Sequence, residues 1–589
     1  MYLHRLKLFI LLTVLPFISL AQLTPRSKQI IADAQKVVKA YHAGAPKANN
    51  VVKVVYFHGR DRETLANWEA RLDRVLTAVD SFYRDEFKKA GVDGGGVNFE
   101  RTGKKYVITV IRGDNDSKSY DANSGAQLQA EIMKKAGGKI DFANDHVLTL
   151  TGLTYVRNDG VFVFHSPYNG TGSSERGACY ASDNEMLDPR FLTDRTTRMK
   201  FSERAGMLKD CLVAEFNSWY IGGIAHEMGH MFGLYHDFGN PAELRPNTIA
   251  LMGEFGSRHF DDYRWGGPQT SHLSAAGILQ LLSHPVFTQS RKEINTHKWL
   301  SVSDLQFEKQ DSSILLKANV EADDMPYGLT VLIHPWNMDE YRNESSIYTL
   351  SSAGQIEIPL RNRINGLYRM TMLFIFPGGA VQPVFKFFSV GDDGIKVLSV
   401  PGQGLVDVKE LYNRLSKSVQ TNQTKQKLRI LEGVIKHNPP VDAATHIGDS
   451  LYLSDAKWHL GTVGWERPVR NYYSTETEAT FFLENKNELF EKGIFAHSPS
   501  VYQFRLNKKW KRFSAIVGLR DRAHAQGSAK FTLLGDGKVL YQSPALRAGH
   551  RDEFKVNIKN IDVLELKADG TEGHNYNSWA IWLNPLLER

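Results

Sequence analysis

Apolar and polar residues alternate in "VVKVVYFHGRD" (51–61), the two-residue period of a strand. From 62 to 90 the period changes. Leu65, Trp68, Leu72, Val75, Val79 and Phe82 recur at three- and four-residue steps, the apolar face of one long helix that Gly91 stops. "KYVITVIRG" (105–113) predicts a second strand, and 124–137 a second helix ending at Gly137-Gly138. "HVLTLTGLTYV" and "GVFVFHSPY" predict further strands. This order of strands and helices describes a mixed sheet covered by helices, an α/β arrangement. A helix over 219–233, a glycine-rich irregular stretch and a helix over 271–284 complete the unit.

The pattern then shifts. "SILLKANVEA", "GLTVLIHP", "GQIEIPL", "YRMTMLFIFP" and "VFKFFSV" are short strands between turn residues, the signature of a β-sandwich. Residues 406–437 are polar with helical spacing (Val408, Leu411, Leu415, Leu428, Leu431, Ile435) and read as a connector that ends at "NPP". From about 449 onward, "RFSAIVGL", "AKFTLLGDGKVLYQS" and "VLELKAD" indicate a second all-β domain.

Composition adds compartment and excludes some classes. The 589 residues are 42% hydrophobic and 23% charged, a globular balance. "MYLHRLKLFILLTVLPFISLAQ" has a basic start (Arg5, Lys7), an apolar run from Leu8 to Leu20 and small residues at Ser19 and Ala21, the form of a secretory signal peptide over 1–21. It predicts a bacterial protein that is secreted, periplasmic or at the cell surface. No other run is long and apolar enough to span a membrane. Loss of Arg5 and Lys7, with no acid, takes the formal charge from +7 to +5. Without a concentrated basic stripe, that does not indicate nucleic-acid binding. Cys179 and Cys211 are too few for a zinc–cysteine cluster; they either pair or stay as buried thiols.

The densest chemistry is "HEMGHMFGLYHD" (226–237). On a helix His226 and His230, four apart, share a face and can grip one ion. Glu227 points about 100° further round, poorly placed as a ligand but well placed to act on a water as general base. Gly233 can end the helix in a left-handed conformation, letting the chain bring His236 to the same ion. Three imidazoles with an open position are the donor set of a catalytic zinc site. The alternative is a solvated or capped polar helix. The apolar flanks "IGGIA" and "MFGL" place the helix in the interior, where three unpartnered histidines are hard to accommodate.

This stretch resembles the zinc signature of metzincin metallopeptidases. "IALMGEFG" resembles that family's Met-turn, with Met252 in the methionine position, and the upstream strand–helix order is similar too. The resemblance covers about 50–290 and implies Zn2+ held by His226, His230 and His236, with Glu227 as general base. Glu254 stands where some subfamilies have a tyrosine. Tyr263 and His259 are therefore candidates for transition-state contacts, and Arg258, Arg264 and Trp265 for substrate contacts; the other reading is ordinary loop chemistry. In this family the strand before the active-site helix pairs with extended substrate, and "GVFVFH" (160–165) is its expected counterpart.

"FEKGIFAHSPSVYQFRL", "FSAIVGLRD" and "AKFTLLGDGKVLYQS" resemble the NPCBM type of carbohydrate-binding module. Gly493, Ala496, His497, Ser498, Asp536-Gly537 and Trp579-Ala580 carry that match, although "HNYNSW" stands where the family usually has an Asp-His pair. His497, Trp458 and Trp579 are the candidate sugar contacts, with a core role the alternative for both tryptophans. The expected organisation is a signal peptide (1–21), an α/β metzincin-like catalytic domain (22–295), a middle β-sandwich of immunoglobulin or fibronectin III type (296–402), a helical connector (403–448) and an NPCBM-like β-sandwich (449–589). Together these features imply a secreted zinc endopeptidase acting on glycoproteins such as mucins, in a narrower form dependent on an O-linked glycan. Its partners would be a glycoprotein or peptide substrate and a glycan ligand for the last domain. A general metallopeptidase merely anchored to glycans, a non-catalytic glycan-binding adhesin, and a zinc amidase acting on sugars or peptidoglycan are the alternatives. The intact Glu227 argues against the adhesin.

Overall fold

The computed structural model describes residues 23–589 apart from 203–207, 245, 295–299, 312, 323, 351–353, 393, 399–407, 437, 465–467, 474–479, 524, 526 and 572–576. The segment read as a signal peptide lies outside the described residues, as do the first residues assigned to the connector.

The alternation at 52–58 serves two cores. Strand β1 (Val52–His58) turns Val54 and Tyr56 toward one hydrophobic cluster and Val55 and Phe57 toward another. Helices α1 (Pro25–His42) and α2 (Trp68–Lys89) contribute to the first cluster; Leu128 and Ile132 of α3 (Gly125–Lys135) contribute to the second. Helix α2 starts six residues later than its apolar spacing predicts, because Asn67 before it is left-handed. The central sheet adds β2 (Ile108–Arg112), β3 (His146–Thr151), β5 (Asn169–Gly172) and β6 (Gly177–Ser182), in the order β2-β1-β3-β6-β5. The first four strands are parallel; β5 is antiparallel at the outer edge.

Strand β4 (Val161–Val163) lies elsewhere. It pairs with β7 (Arg198–Ser202) and with Tyr155–Val156 in a second sheet, whose far edge is β8 (Leu208–Leu212). "GVFVFH" is thus an inner strand and not the edge expected to meet substrate. Helix α4 (Val213–Met231) runs directly out of β8 and is buried along most of its length. It starts six residues earlier than predicted. Helix α5 (Ala275–Leu281) begins after Ser274, whose hydroxyl accepts the Gly277 N–H at 3.0 Å. Cys179 on β6 and Cys211 on β8 are buried free thiols.

Residues 300–398 form a three-stranded and a five-stranded sheet around Leu316, Val331, Met370, Met372 and Phe388. Helices α6 (Val408–Ser416) and α7 (Asn422–Lys436) follow. Their apolar face, with Leu411, Ile430 and Leu431, packs on Phe481, Phe482 and Leu489 of the last domain. That domain stacks two sheets over Trp510, Phe531 and Trp582. No helix among the described residues is long and apolar enough to cross a membrane.

Candidate metal centre

His226 and His230 project from one face of α4, their ring centroids 4.8 Å apart. The helix gives way at Phe232, Gly233 takes a φ of +84°, and the chain returns along the helix end. That return brings His236 to within 4.5 Å of the His230 ring. One ring nitrogen from each of the three lies within 4.8 Å of the others.

The hydrogen bonds fix which nitrogens these are. His226 Nδ1 meets the Leu251 carbonyl at 2.7 Å, and His230 Nδ1 meets the Leu234 carbonyl at 2.8 Å. His236 Nδ1 meets Glu340 Oε1 at 3.0 Å. Carbonyl and carboxylate oxygens only accept, so each Nδ1 carries a proton and each Nε2 is the nitrogen left for an ion. The Nε2 atoms of His230 and His236 face each other at 3.0 Å, close enough to share one cation. Burial pushes His226 down to about 3, with His230 adding to the effect, and pushes His230 down to about 4, with His236 adding. Both rings are therefore neutral at physiological pH, the form that ligates metal. The donor set fits a divalent ion of the zinc type.

Glu227 leaves the same helix on another side. The Gly170 N–H donates to its Oε2 at 2.6 Å. Gly170 belongs to β5, the outer strand, and only glycine fits there: a Cβ at 170 would collide with the Glu227 carbonyl. The strand thus lies against the helix, with one backbone N–H on the catalytic candidate. Sequence reasoning missed β5 because "NGTG" has no strand propensity.

Met252 is buried in a turn closed by Gly253 N–H to the Ala250 carbonyl at 2.9 Å. Its sulfur lies 2.6 Å from where a Cβ on Gly229 would stand, so it packs against α4 at Gly229. Its carbonyl accepts the Asp237 N–H at 3.0 Å. The Asp237 carboxylate accepts from Gly239 N–H at 2.8 Å and from the Ser274 hydroxyl, a structural post for the chain after His236.

The middle β-sandwich also reaches this site. Its short 3-10 turn at Glu340–Arg342 sets Glu340 on His236 and lays the Tyr341 ring 3.6 Å, centroid to centroid, from the His236 ring. The Tyr341 ring stacks at 6.2 Å from His226 as well. The hydrogen bond from His236 holds the Glu340 carboxyl below its ordinary range. Burial, and then the Glu227 charge, raise the Tyr341 phenol. "DEYRNE" carries no local signal that could have placed it beside residue 236.

The other loop candidates are engaged in their own neighbourhood. His259 Nδ1 pairs with Asp262 Oδ2 at 2.6 Å, Tyr263 donates its hydroxyl to the Asn247 carbonyl at 3.1 Å, and Arg264 binds Asp261 at 2.6 Å. The Arg258 guanidinium lies 4.3 Å from Trp219 and 4.9 Å from the exposed Phe255 ring. The buried Trp265 indole N–H has no hydrogen-bond partner. In the last domain Trp458 is only 3% exposed, packed on Tyr502 at 5.1 Å and covered by Arg470 at 3.7 Å, a core position. His497 and the half-buried Trp579 meet edge to face at 4.9 Å, with Arg520 3.9 Å over the Trp579 ring.

Comparison with known proteins gives likeness in parts. The chain is 30% identical over 139 residues to a Renibacterium salmoninarum protein carrying the name endo-alpha-N-acetylgalactosaminidase. The match takes in 23% of this chain and only 9% of that relative's length. Among solved structures, catalytically inactive OgpA of Akkermansia muciniphila, in complex with an O-glycopeptide (glycodrosocin) substrate, is similar at 19% identity. That match covers 61% of this chain and 97% of OgpA, with a TM-score of 0.48. CBM51 from Clostridium perfringens GH95, in complex with methyl-galactose, is also 19% identical, over 23% of this chain and 99% of that one, with a TM-score of 0.22. Residues 449–588 match the family model described as the NPCBM/NEW2 domain.

Proposed function

We propose that this protein is a zinc-dependent endopeptidase of metzincin type that cleaves glycoproteins, with mucin-like chains as the substrate class. One observation carries the peptidase reading: three Nδ1 atoms are committed to fixed acceptors, and one ring nitrogen from each histidine converges within 4.8 Å of the others. His226, His230 and His236 would hold the ion. Bound there, zinc acidifies water and polarises a carbonyl.

The chain's own groups supply the rest. Glu227, oriented by the Gly170 N–H, accepts a proton from the attacking water and returns it to the amine nitrogen as the C–N bond breaks. The outer strand β5 is the edge along which an extended peptide adds, its backbone groups satisfying the substrate's. This role passes to β5 from "GVFVFH".

The glycoprotein reading rests on the NPCBM/NEW2 match and on the 139-residue likeness to a protein carrying the name endo-alpha-N-acetylgalactosaminidase. The half-buried Trp579 is the group offered to a sugar, with the buried His497 and Arg520 packed against its ring. Peptide mapping of a mucin-type glycoprotein after incubation, before and after enzymatic removal of its glycans, tests the reading. Cleavage that needs the glycans supports it; equal cleavage of both forms leaves a general peptidase anchored by its last domain.

A further inference from the structure

His236 differs from the other two histidines in where its Nδ1 proton goes. Leu251 and Leu234, the partners of His226 and His230, belong to the same α/β unit as the helix. The partner of His236 is Glu340, 104 residues away in the middle β-sandwich. His236 sits after Gly233 on irregular chain, so no helix sets the aim of its ring.

We propose that the metal centre is a two-domain site: Glu340 is the positioning residue that aims and strengthens His236, and ion binding locks the sandwich onto the α/β unit. This rests on the reading of the three histidines as metal ligands. A carboxylate on the far nitrogen of a ligating imidazole fixes its tautomer and raises its basicity.

The loop that offers Glu340 is built for the position. Asp339 caps its turn by accepting the Tyr341 N–H at 3.1 Å. Glu254, next to the Met252 turn, donates its N–H to the Tyr341 carbonyl at 3.2 Å and pairs with Arg342 at 2.7 Å. The buried Asn343 donates to the His236 carbonyl at 3.1 Å, and its own carbonyl accepts the Phe238 N–H at 2.8 Å. Ser345 N–H reaches the Gly239 carbonyl at 3.2 Å. These contacts hold the chain from His236 to Gly239, while the Tyr341 ring closes over the His236 ring. Because coupling is reciprocal, whatever the docked loop does for the ion, the ion does for docking.

Zinc affinity of the full chain, measured by competition with a chromophoric chelator, tests this. Glu340→Gln keeps shape and removes charge; it should weaken zinc binding about 10- to 100-fold. Arg342→Ala breaks the same interface without touching a ligand's partner and should weaken it less. Equal affinity of Glu340→Gln and wild type, or equal losses in the two variants, would overturn the proposal. Hydrogen exchange on the unmodified chain provides a second readout: added zinc should slow the amides of 339–345, and no change there would also overturn it. A wild-type chain that binds zinc no more tightly than His230→Ala would instead remove the underlying metal reading.

Discussion

The backbone N–H of Gly170 donates to the Glu227 carboxylate at 2.6 Å, and a side chain at 170 would strike the Glu227 carbonyl. The edge strand and the proposed general base therefore act as one device. Gly170→Ala should displace β5 from α4. We expect it to cost about 1–3 kcal/mol of stability, as overpacking does, and to lower kcat while zinc content stays at the wild-type level. Thermal melting, turnover and metal content measured on one preparation check this. Wild-type turnover in the variant would show that β5 need not touch Glu227.

Glu227→Gln should keep the ion, because Glu227 is not in the ligand set, and lose about 100- to 10,000-fold in peptide hydrolysis, the usual worth of a general base. Metal content and initial rates on a glycopeptide measure the two effects separately. Activity near wild type would assign the water to another residue.

His146 and His284 sit edge to face at 4.9 Å, both on the Ser173 carbonyl just beyond β5. Burial pushes His146 down to about 4 and His284 well below its ordinary value of about 6.5. The unfolded chain takes up these protons first. Their stabilising effect is complete above about pH 6.5 and declines as the pH falls, that of His146 being lost through about pH 4. His146→Gln retains a donor for Ser173 and removes one titrating group. Its stability should fall less steeply with acid, by about one proton. An unchanged slope in melts between pH 6.5 and 4 would contradict the assignment.

How much of this was legible in sequence depended on distance along the chain. His226, Glu227, His230, Gly233 and His236 fall within two helical turns and a bend, so their geometry follows from helix periodicity and one glycine. The strand at 52–58 was legible too, but its burial on both faces was not, because alternation predicts only one buried face. "GVFVFH" reads correctly as a strand, but period two cannot say which sheet it joins. β5 was invisible because its glycines are there for close approach, not for strand propensity. Glu340 and Tyr341 were invisible because nothing local ties a polar turn in one domain to a histidine in another. Trp458 and Trp579 look equivalent as aromatic residues; only packing separates the buried ring from the half-exposed one.

The connector helices pack on the last domain through Leu411, Leu431, Phe481 and Phe482, so a clean truncation removes 400–589 together. If that unit only concentrates substrate, the shortened chain should cleave a short glycopeptide at the wild-type rate and a multivalent glycoprotein up to about 100-fold more slowly. Equal losses on both substrates would mean that the last domain takes part at the catalytic centre.

In the proposed zinc peptidase, His226, His230 and His236 hold one catalytic ion. Metal analysis of the purified chain beside His230→Ala tests it most directly. About one zinc per chain is expected in the wild type, and its loss, together with peptidase activity, in His230→Ala. A wild-type chain without zinc after exposure to it, or a His230→Ala chain that keeps its full complement, would contradict the account.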